Sequence, residues 1–434
     1  MARDFEDELK AQGIDFLSPL DDDYSVERRV FNGAIDRHPR AILFPRKESD
    51  VERIVKIATS YNVRMTVRCG GHNIAGKSVQ DDCILIDLRN FRYVRPSRDQ
   101  MVASIGGGCL WGDVDRVIGP MRLAIPGGTV STTGVGGLTL GGGIGWLLPS
   151  CGLASDQLLS IRMTDADGRT RLVDDVTDPE LMACIRGAGH GLGIVTEFTF
   201  RLSEINDEFM AGSLLFQFRD SDDVLSRFID LSDHLSDQLM VSPCFLFNSG
   251  ELMLSVDVVS NGPGSRVQQF VNTLTSAVSP IGDSLRMTSW DTAQKMLDNP
   301  FRRNRAAYWK NSFGLEGEKP SVSEIIEAAS AMPTRYCSLF IEHFHGAFHD
   351  PDLPSVFPLR SSSFDVLFNG SWVNKSSEGP VREWAREYSS RTFLRQSPVT
   401  YRNYADTDDI DTMKSTPFVV HIKQKMDPEH WFYS

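Results

Sequence analysis

The fold of this chain is decided by residues 124–145, which read AIPGGTVSTTGVGGLTLGGGIG. Fourteen of the 35 glycines fall between Gly106 and Gly145. Consecutive glycines allow positive φ angles and let the backbone approach a ligand closely, and their amides form a concavity that binds anions. Because apolar residues such as Val135 and Leu138 interleave the block, we predict a loop that holds a ligand, with a diphosphate as the expected group, rather than an unliganded surface loop.

A Rossmann fold is the obvious alternative for a glycine-rich loop. Its fingerprint, G-x-G-x-x-G, needs a preceding strand, a following helix and an acidic residue about 20 positions further on. The run Gly134-Val-Gly-Gly-Leu-Thr-Leu-Gly141 fits that spacing poorly, and glycines recur up to Gly145. The sequence therefore disfavours NAD binding through a Rossmann fold.

A small β-α-β unit is predicted before the glycine block. Residues 40–44 and 64–68 have the composition of short strands, and residues 49–60 between them have apolar side chains at helical spacing. A capping box formed by Ser49 and Glu52 predicts the start of that helix. The second strand runs directly into Cys69-Gly-Gly-His-Asn73.

The sequence pattern changes after the glycine block. Asp178 as N-cap with Pro179 at the first helical position predicts a helix start, and residues 194–200 alternate like a strand. From about residue 204 glycines become rare, and strands alternate with amphipathic helices. This order predicts an α+β arrangement, with an antiparallel sheet covered on one face by helices. We expect strands at 210–218 and 251–259 and helices at 222–234 and 265–277.

Composition narrows the range of partners. Lys and Arg total 45 against 58 Asp and Glu, a net charge of −13 that repels nucleic acid. No apolar run approaches the roughly 20 residues of a membrane span, and the acidic N-terminus does not resemble a secretory signal. The seven cysteines are widely spaced without a CxxC, which favours reduced thiols. We therefore expect a cytoplasmic protein that binds neither nucleic acid nor membranes. The expected partner is a small-molecule substrate, and the expected assembly is a monomer or a homodimer.

Several motifs, taken together, resemble one family. In chain order they are FNGAIDRHP (31–39), VRCGGHNIAG (67–76), TTGVGGLTLGGGIGW (132–146), CGLASD (151–156), RGAGHGLGIVTEFTF (186–200), YRNYAD (401–406) and KQKMDPEHWF (423–432). This series resembles the berberine-bridge-enzyme-like FAD-linked oxidases of the vanillyl-alcohol-oxidase superfamily. The resemblance implies a PCMH-type FAD-binding domain of two α+β subdomains, formed by residues 1–203 and completed by residues 391–434. Residues 204–390 would be the substrate-binding domain, with its antiparallel sheet over the flavin.

The resemblance also implies which residues bind FAD. The histidine of the GGH motif, His72, would carry a covalent bond to the 8α-methyl of the flavin. Many relatives form a second bond through a cysteine, but Val130 stands at that position, so a single link is expected. The other implied cofactor residues are Arg68, Gly70, Gly71, Asn73, Thr133, Gly134, Gly136, Gly137, Leu138, Gly141, Gly142, Gly143, Gly145, Gly152, Asp156, Ile194, Val195 and Asn403.

The chain differs from the family pattern at two places, and one further position is implied to control the access of O₂. Leu138 replaces a family histidine, and the segment 408–420 is shorter than its counterparts, so the site is expected to be more open. Thr133 stands where the family controls access of the co-substrate O₂. The alternative is that Thr133 only caps the glycine loop.

On the substrate side, residues 342–348 look like a family strand. Glu342, Phe344 and Gly346 would then share one face, and His343, His345 and Ala347 the other. Tyr404, Glu342 and His343 are the candidates for catalysis.

Tyr404 is the preferred base, and its pKa must then be lowered by Arg402, Arg360 or a histidine at 343 or 345. A tyrosine packed at a strand edge is the alternative. No metal is expected, although His343, His345 and His349 leave a metal site as a minor alternative.

The resemblance implies an FAD-dependent oxidase. It would move hydride from a secondary-metabolite-type substrate to covalent FAD and pass the electrons to O₂. Two other interpretations stay open: a flavin-dependent cyclase or rearrangement enzyme of a biosynthetic pathway, and a non-catalytic flavin-binding protein.

Overall fold

A computed structural model describes residues 2–315, 317–406, 408–409 and 416–433. The first part of the chain forms a four-stranded sheet whose central pairs are parallel. In spatial order its strands are Phe16–Leu17, Ala41–Leu43, Ile84–Asp87 and Met65–Arg68, and its helices are Ala2–Ala11, Tyr24–Glu27 and Glu48–Ser60. The predicted β-α-β unit is therefore confirmed.

The predicted start of that unit's helix is wrong. The helix begins at Glu48, because the Asp50 carboxylate accepts hydrogen bonds from the amides of Arg46 and Lys47, at 2.9 and 3.2 Å. Ser49 consequently lies inside the helix rather than capping it.

A five-stranded antiparallel sheet follows. Its strands, in spatial order, are Val94–Ser97, Val102–Gly106, Ile194–Arg201, Leu158–Thr164 and Thr170–Asp174, and the helices around it are Trp111–Ile118, Val135–Leu140, Leu148–Cys151 and Pro179–Ala188. The predicted cap of the last helix is confirmed, since the Asp178 carboxylate accepts from the Leu181 amide at 3.2 Å. A short ladder pairs Leu123–Ala124 with Ser203–Glu204.

Residues from Met210 onward build an eight-stranded antiparallel sheet, as predicted. Its main path is Gly282–Asp283, Met210–Gln217, Glu251–Ser260, Leu239–Asn248, Ser338–His343, Phe364–Trp372 and Ala306–Phe313, with Arg286–Met287 beside Met210–Gln217. The helices Ser221–Ser232, Gly264–Leu274, Val322–Ser330 and Glu378–Ser389 bury an apolar core against one face. The other face packs against the glycine-rich half of the chain, where Trp309 and Phe340 share a core with Val130 and Trp146.

The C-terminal residues return to the first two sheets. In the helix Pro417–Met426, the side chains of Val419, Ile422 and Met426 join the core of the five-stranded sheet. Phe432 joins the core of the four-stranded sheet and forms a bridge with Met65. Residues 410–415, within the segment 408–420 that we expected to be short, lie outside the described residues.

The architecture is therefore α+β. Within the described ranges, no helix has both the length and the apolar character needed to cross a membrane.

Candidate functional site

A cavity of about 230 Å³ lies between the glycine loops and the open face of the large sheet. Its wall includes thirteen of the residues predicted to bind the cofactor or to act in catalysis: Gly70, Gly71, His72, Asn73, Thr133, Gly134, Gly136, Gly137, Leu138, Val195, Glu342, Asn403 and Tyr404. Residues separated by more than 300 positions in the chain thus meet in one site. The cofactor side and the expected substrate side are continuous.

Two glycine loops cross at the centre of this cavity. A Cβ atom on Gly70 would come under 3.0 Å from the backbone of Gly134, and a Cβ on Gly134 would meet the Gly70 amide equally closely. Gly71 adopts a φ of 67°, a left-handed conformation that glycine reaches without strain. The crossing therefore requires glycine, and it carries His72 into the cavity wall.

The space around Gly137 shows whether the loop has room for a cofactor. It lines the cavity, and a Cβ added there would meet no protein atom within 4 Å. Packing inside the protein therefore does not demand glycine at this position, whereas close approach of a ligand does. The residues present fit an FAD that lies along Gly134, Gly136 and Gly137.

His72 lies half-buried in an aromatic part of the cavity wall. Its Nε2 is 2.8 Å from Thr132 Oγ1, and its ring stacks on Phe31 with centroids 4.2 Å apart. Burial, together with the nearby positive charge of Arg303, lowers the pKa of His72 to about 3. The imidazole is therefore neutral at physiological pH.

Two further side chains of the wall bear on covalent attachment. Val130 lines the cavity with a hydrocarbon side chain, which cannot form a thioether. Cys69 also lines the cavity, a position that the sequence analysis missed although it directly precedes Gly70 and Gly71. Burial raises the pKa of the Cys69 thiol to about 11, so it is not a ready nucleophile.

Other implied cofactor residues lie behind the wall instead of in it: Arg68, Gly141, Gly142, Gly143, Gly145, Gly152, Asp156 and Ile194. Arg68 is turned into the protein by its bond to Asp87, with Nε 2.6 Å from Oδ2. The missing side chain of Gly141 makes room for Asn403, and that of Gly145 for the carbonyl of Gly127. These glycines serve contacts within the protein, a use that their sequence pattern does not separate from ligand binding.

The pair Asp156 and Arg360 is part of the same supporting layer. Arg360 donates to both carboxylate oxygens of Asp156, at 2.9 and 2.5 Å. Asp156 also accepts from the Leu153 amide at 2.8 Å. Arg360 is therefore held by Asp156, outside the cavity wall.

Tyr404 and Glu342 form the polar end of the cavity. The Tyr404 hydroxyl donates to Glu342 Oε1 at 3.4 Å, and its ring packs edge-on against Tyr401 and Trp309. Burial first, and then the charge of Glu342, raise the pKa of Tyr404 well above its usual range. Burial also raises the pKa of Glu342, to about 7.

The expectation of a lowered Tyr404 pKa is therefore wrong, and the assignment of Tyr404 as the base stays a prediction without that support. The neighbour of the phenol is a carboxylate, and Arg360 is held by Asp156. A carboxyl with a pKa near 7 accepts a proton readily at neutral pH, whereas a phenol with a raised pKa donates a hydrogen bond. In this pair the Tyr404 hydroxyl donates to Glu342, and Glu342 is the group that can take up a proton near neutral pH.

His343 does not reach the cavity. It is paired with Phe364 on the helix-covered face of the sheet, and its ring stacks on His345 with centroids 4.7 Å apart. The strand ends at His343, and residues Gly346–Phe348 form a 3₁₀ turn in which Gly346 has a φ of 61°. The expected strand therefore ends at His343, and the turn at Gly346 breaks the alternation before Ala347. Nowhere in the described part of the chain do three His, Cys, Asp or Glu side chains cluster closely enough to hold a metal ion.

Comparison with known proteins agrees with this geometry. A family model described as an FAD binding domain matches residues 39–174. An FAD-linked oxidoreductase of Dictyostelium discoideum is 26% identical over 436 residues, covering 97% of this chain and 93% of the relative. (R)-6-hydroxynicotine oxidase of Paenarthrobacter nicotinovorans is 30% identical over 236 residues, covering 54% of this chain and 51% of the relative. The solved structure of BBE-like 1 from Physcomitrella patens has a TM-score of 0.88 at 20% identity, covering 99% of this chain and 97% of that chain, and shares the fold.

Proposed function

We propose that this chain, which is similar to FAD-linked oxidoreductases over nearly its whole length and shares its fold with a BBE-like protein, is a berberine-bridge-enzyme-like oxidase with FAD bonded to His72 and O₂ as electron acceptor. Its substrate is a small molecule of the secondary-metabolite type. The observation that carries the proposal is one cavity whose wall holds His72 at one side and Glu342 with Tyr404 at the other. Bound FAD supplies a two-electron acceptor that takes hydride from the substrate and is reoxidised by O₂.

The chain's own part in the reaction is proton handling. Removal of hydride from a carbon next to an O–H or N–H requires that the proton of that group also leaves. Glu342 accepts this proton, because its pKa is raised to about 7 and its carboxylate lies in the cavity wall. The Tyr404 hydroxyl orients the carboxylate by donating to Oε1.

The neutral imidazole of His72 supports covalent attachment. A nucleophile needs a free lone pair, and a pKa of about 3 keeps this ring unprotonated throughout the physiological range. Val130 at the second attachment position supports a single link.

The walls beside Glu342 indicate the substrate chemistry. Phe301, Phe340 and Trp309 form an aromatic cluster with ring centroids 5.3 and 5.5 Å apart. Met240 and Leu367 extend the same apolar surface. Such a wall suits a flat, apolar ring system bearing one hydroxyl or amine better than a polyhydroxylated sugar. The relative named (R)-6-hydroxynicotine oxidase, which by its name acts on a hydroxylated N-heterocycle, supports this choice.

Thr133 supports the use of O₂. It lines the cavity, and its Cγ2 lies near Gly128 next to a methyl of Leu138. Among the described residues its side chain makes no hydrogen bond, and the N-cap of the helix Val135–Leu140 receives none from a side chain. The capping alternative is therefore disfavoured, and a small side chain at this position supports access of O₂ from the cavity.

Anaerobic titration of the purified yellow protein tests this function. The panel contains hydroxylated N-heterocycles, phenolic amines and polyketide alcohols, with mono- and oligosaccharides as the comparison class. We expect an aromatic member to bleach the flavin absorbance and air to restore it with formation of H₂O₂. Product formed without net two-electron oxidation would instead favour a cyclase or rearrangement enzyme, and bleaching only by saccharides would contradict the substrate class.

A further inference from the structure

A second buried carboxyl group stands directly behind Glu342. In the antiparallel pair Ser338–His343 and Phe364–Trp372, Glu342 is opposite Asp365, so both side chains project from the same face of the sheet. The Cβ atoms of residues in such a pair are about 4.5–5.5 Å apart. Asp365 is 0% exposed and Glu342 is 6% exposed. The two carboxyls are therefore neighbours that are almost fully shielded from solvent.

The hydrogen bonds around this pair are incomplete. Both carboxyl oxygens of Asp365, and Oε2 of Glu342, are buried and have no hydrogen bond of good geometry within the part of the chain that the structure describes, although the Ser312 amide and the Asn311 side chain act on Asp365. Ionised carboxylates can only accept, so two of them facing each other would leave all three atoms unsatisfied and repel one another. A single proton placed between them removes both costs, because a protonated carboxyl becomes a donor.

The surroundings decide which carboxyl keeps that proton. Glu342 receives the Tyr404 hydroxyl at Oε1 and lines the cavity, whereas Asp365 has neither a charged partner nor exposure. We propose that Asp365 is a protonated positioning residue, which donates its carboxyl proton to Glu342 Oε2 and so holds Glu342 ionised and oriented as the base. Glu342 then has two donors, one on each oxygen.

Proton balance follows directly. Glu342 takes one proton from the substrate and becomes neutral, while Asp365 keeps its own proton throughout. Burial, and then the charge of Glu342, raise the pKa of Asp365 well above its usual range, which agrees with this assignment. The other titratable groups around the pair are the phenols of Tyr401 and Tyr404, both with raised pKa, and Arg402 in the cavity wall.

The neighbouring strand offers only neutral groups. Asn311 and Ser312 lie beside Asp365, where the Ser312 amide and the Asn311 side chain oppose the rise in its pKa. Neither side chain finds a partner of its own in the described residues. The protonated carboxyl of Asp365 therefore has nothing stronger than Glu342 to bind.

Infrared difference spectroscopy on the purified FAD-loaded protein tests the proposal without turnover. In a titration from about pH 5 to about pH 9, one protonated-carboxyl band should persist at high pH. Asp365→Asn should remove this band, and Glu342→Gln should retain it. A second band should titrate near pH 7 and disappear in Glu342→Gln. Asp115 and Asp257, which also have raised pKa values, give a constant background in every variant. A high-pH band that survives in Asp365→Asn, or the absence of such a band in the unchanged protein, would overturn the proposal.

A matched pair of variants separates positioning from packing. Asp365→Asn keeps a neutral donor, while Asp365→Leu has the same branched shape, is bulkier and has no donor. This part rests on the proposed function, since it follows anaerobic flavin reduction by whichever panel compound bleaches the protein.

For Asp365→Leu we expect the pH midpoint of flavin reduction to rise by about one pH unit. Below the midpoint, flavin reduction should then be roughly tenfold slower than in the unchanged protein, and at high pH the rate should recover. Asp365→Asn should stay within about half a unit of the original midpoint. An equal loss at every pH in Asp365→Leu would show a purely structural role. If no compound reduces the flavin, the proposed function fails, and the infrared assignment still decides the role of Asp365.

Discussion

Gly70 and Gly134 lie backbone against backbone, and neither position has room for a Cβ atom against the other. This contact joins the GGH motif to the glycine block, two stretches that are more than 60 residues apart. It also sets Thr132 against His72, with Oγ1 2.8 Å from Nε2. The two motifs therefore work as one structural unit.

We expect Gly134→Ala to force the two loops apart. The added methyl group would clash with the Gly70 amide and with Cys69, and a rigid backbone neighbour cannot yield as a flexible side chain does. The variant should lose most of its bound FAD, measured as the flavin-to-protein absorbance ratio after purification, and should unfold at a lower temperature. Gly119→Ala is the control, because a Cβ there meets nothing within 4 Å. Full flavin content in Gly134→Ala would show that the crossing tolerates expansion.

Gly137 allows a sharper test of cofactor binding. A leucine at this position has free space around its Cβ but projects into the cavity. We expect Gly137→Leu to keep the thermal stability of the cofactor-free protein, or to raise it by up to about 1 kcal/mol through helix propensity, and to lower FAD binding at least tenfold. Gly379→Leu, at another helical glycine with open space, should leave FAD binding unchanged. Equal FAD affinity in both variants would place the cofactor elsewhere.

Covalent attachment at His72 has a simple readout. Acid precipitation of the unchanged protein should give a yellow pellet, because a covalent bond survives denaturation. His72→Ala should release the flavin into the supernatant, whereas Cys69→Ala should not, since burial raises the pKa of that thiol to about 11. A flavin peptide that contains a cysteine, or a colourless pellet from the unchanged protein, contradicts a single link through His72.

The secondary structure could be predicted where local signals are strong. Asp178 before Pro179 places a helix start correctly, because both residues act on the backbone next to them. The capping box at Ser49 fails for the same kind of reason, since Asp50 reaches the amides of Arg46 and Lys47 first. Competing side chains at one helix end differ by small energies that the sequence does not resolve.

The sequence predicts which residues meet in the site, but it does not predict their protonation states or their partners. The motifs bring Glu342 and Tyr404 to one cavity, yet the sign of the Tyr404 pKa shift depends on which charge is its neighbour. Asp365 was missed altogether, because its partnership with Glu342 follows from strand register. The only sequence signal was an acidic residue inside the otherwise apolar strand Phe364–Phe368, which is unusual for a buried position. Register is set by tertiary packing and is not visible in the local pattern.

The raised pKa of Glu342 predicts a pH-dependent stability. Below pH 4.5, its ordinary value, the carboxyl is protonated in both the folded and the unfolded chain, and it does not affect stability. Between pH 4.5 and about 7 the unfolded chain loses the proton while the folded chain keeps it, so stability falls as pH rises.

Glu342→Gln removes this effect. The variant should be more stable than the unchanged protein by up to about 3 kcal/mol at pH 8, and the difference should vanish near pH 4. Denaturant unfolding of the two proteins at both pH values measures it. A difference that does not change with pH would show that Glu342 is not buried with a raised pKa.

The last prediction separates the roles of Tyr404 and Glu342. If Glu342 is the base, Glu342→Gln should slow anaerobic flavin reduction by about 10²–10⁴-fold above the Glu342 pKa of about 7, the usual contribution of a positioned base. Tyr404→Phe removes only a donor from Oε1, so the carboxylate becomes more basic and less well oriented. Its pH midpoint should rise, and its rate should fall by about tenfold or less above that midpoint, with flavin content unchanged. Reduction by Tyr404→Phe that is as slow as by Glu342→Gln at high pH would return the base to Tyr404, in spite of a pKa that burial and the Glu342 charge hold above its usual range.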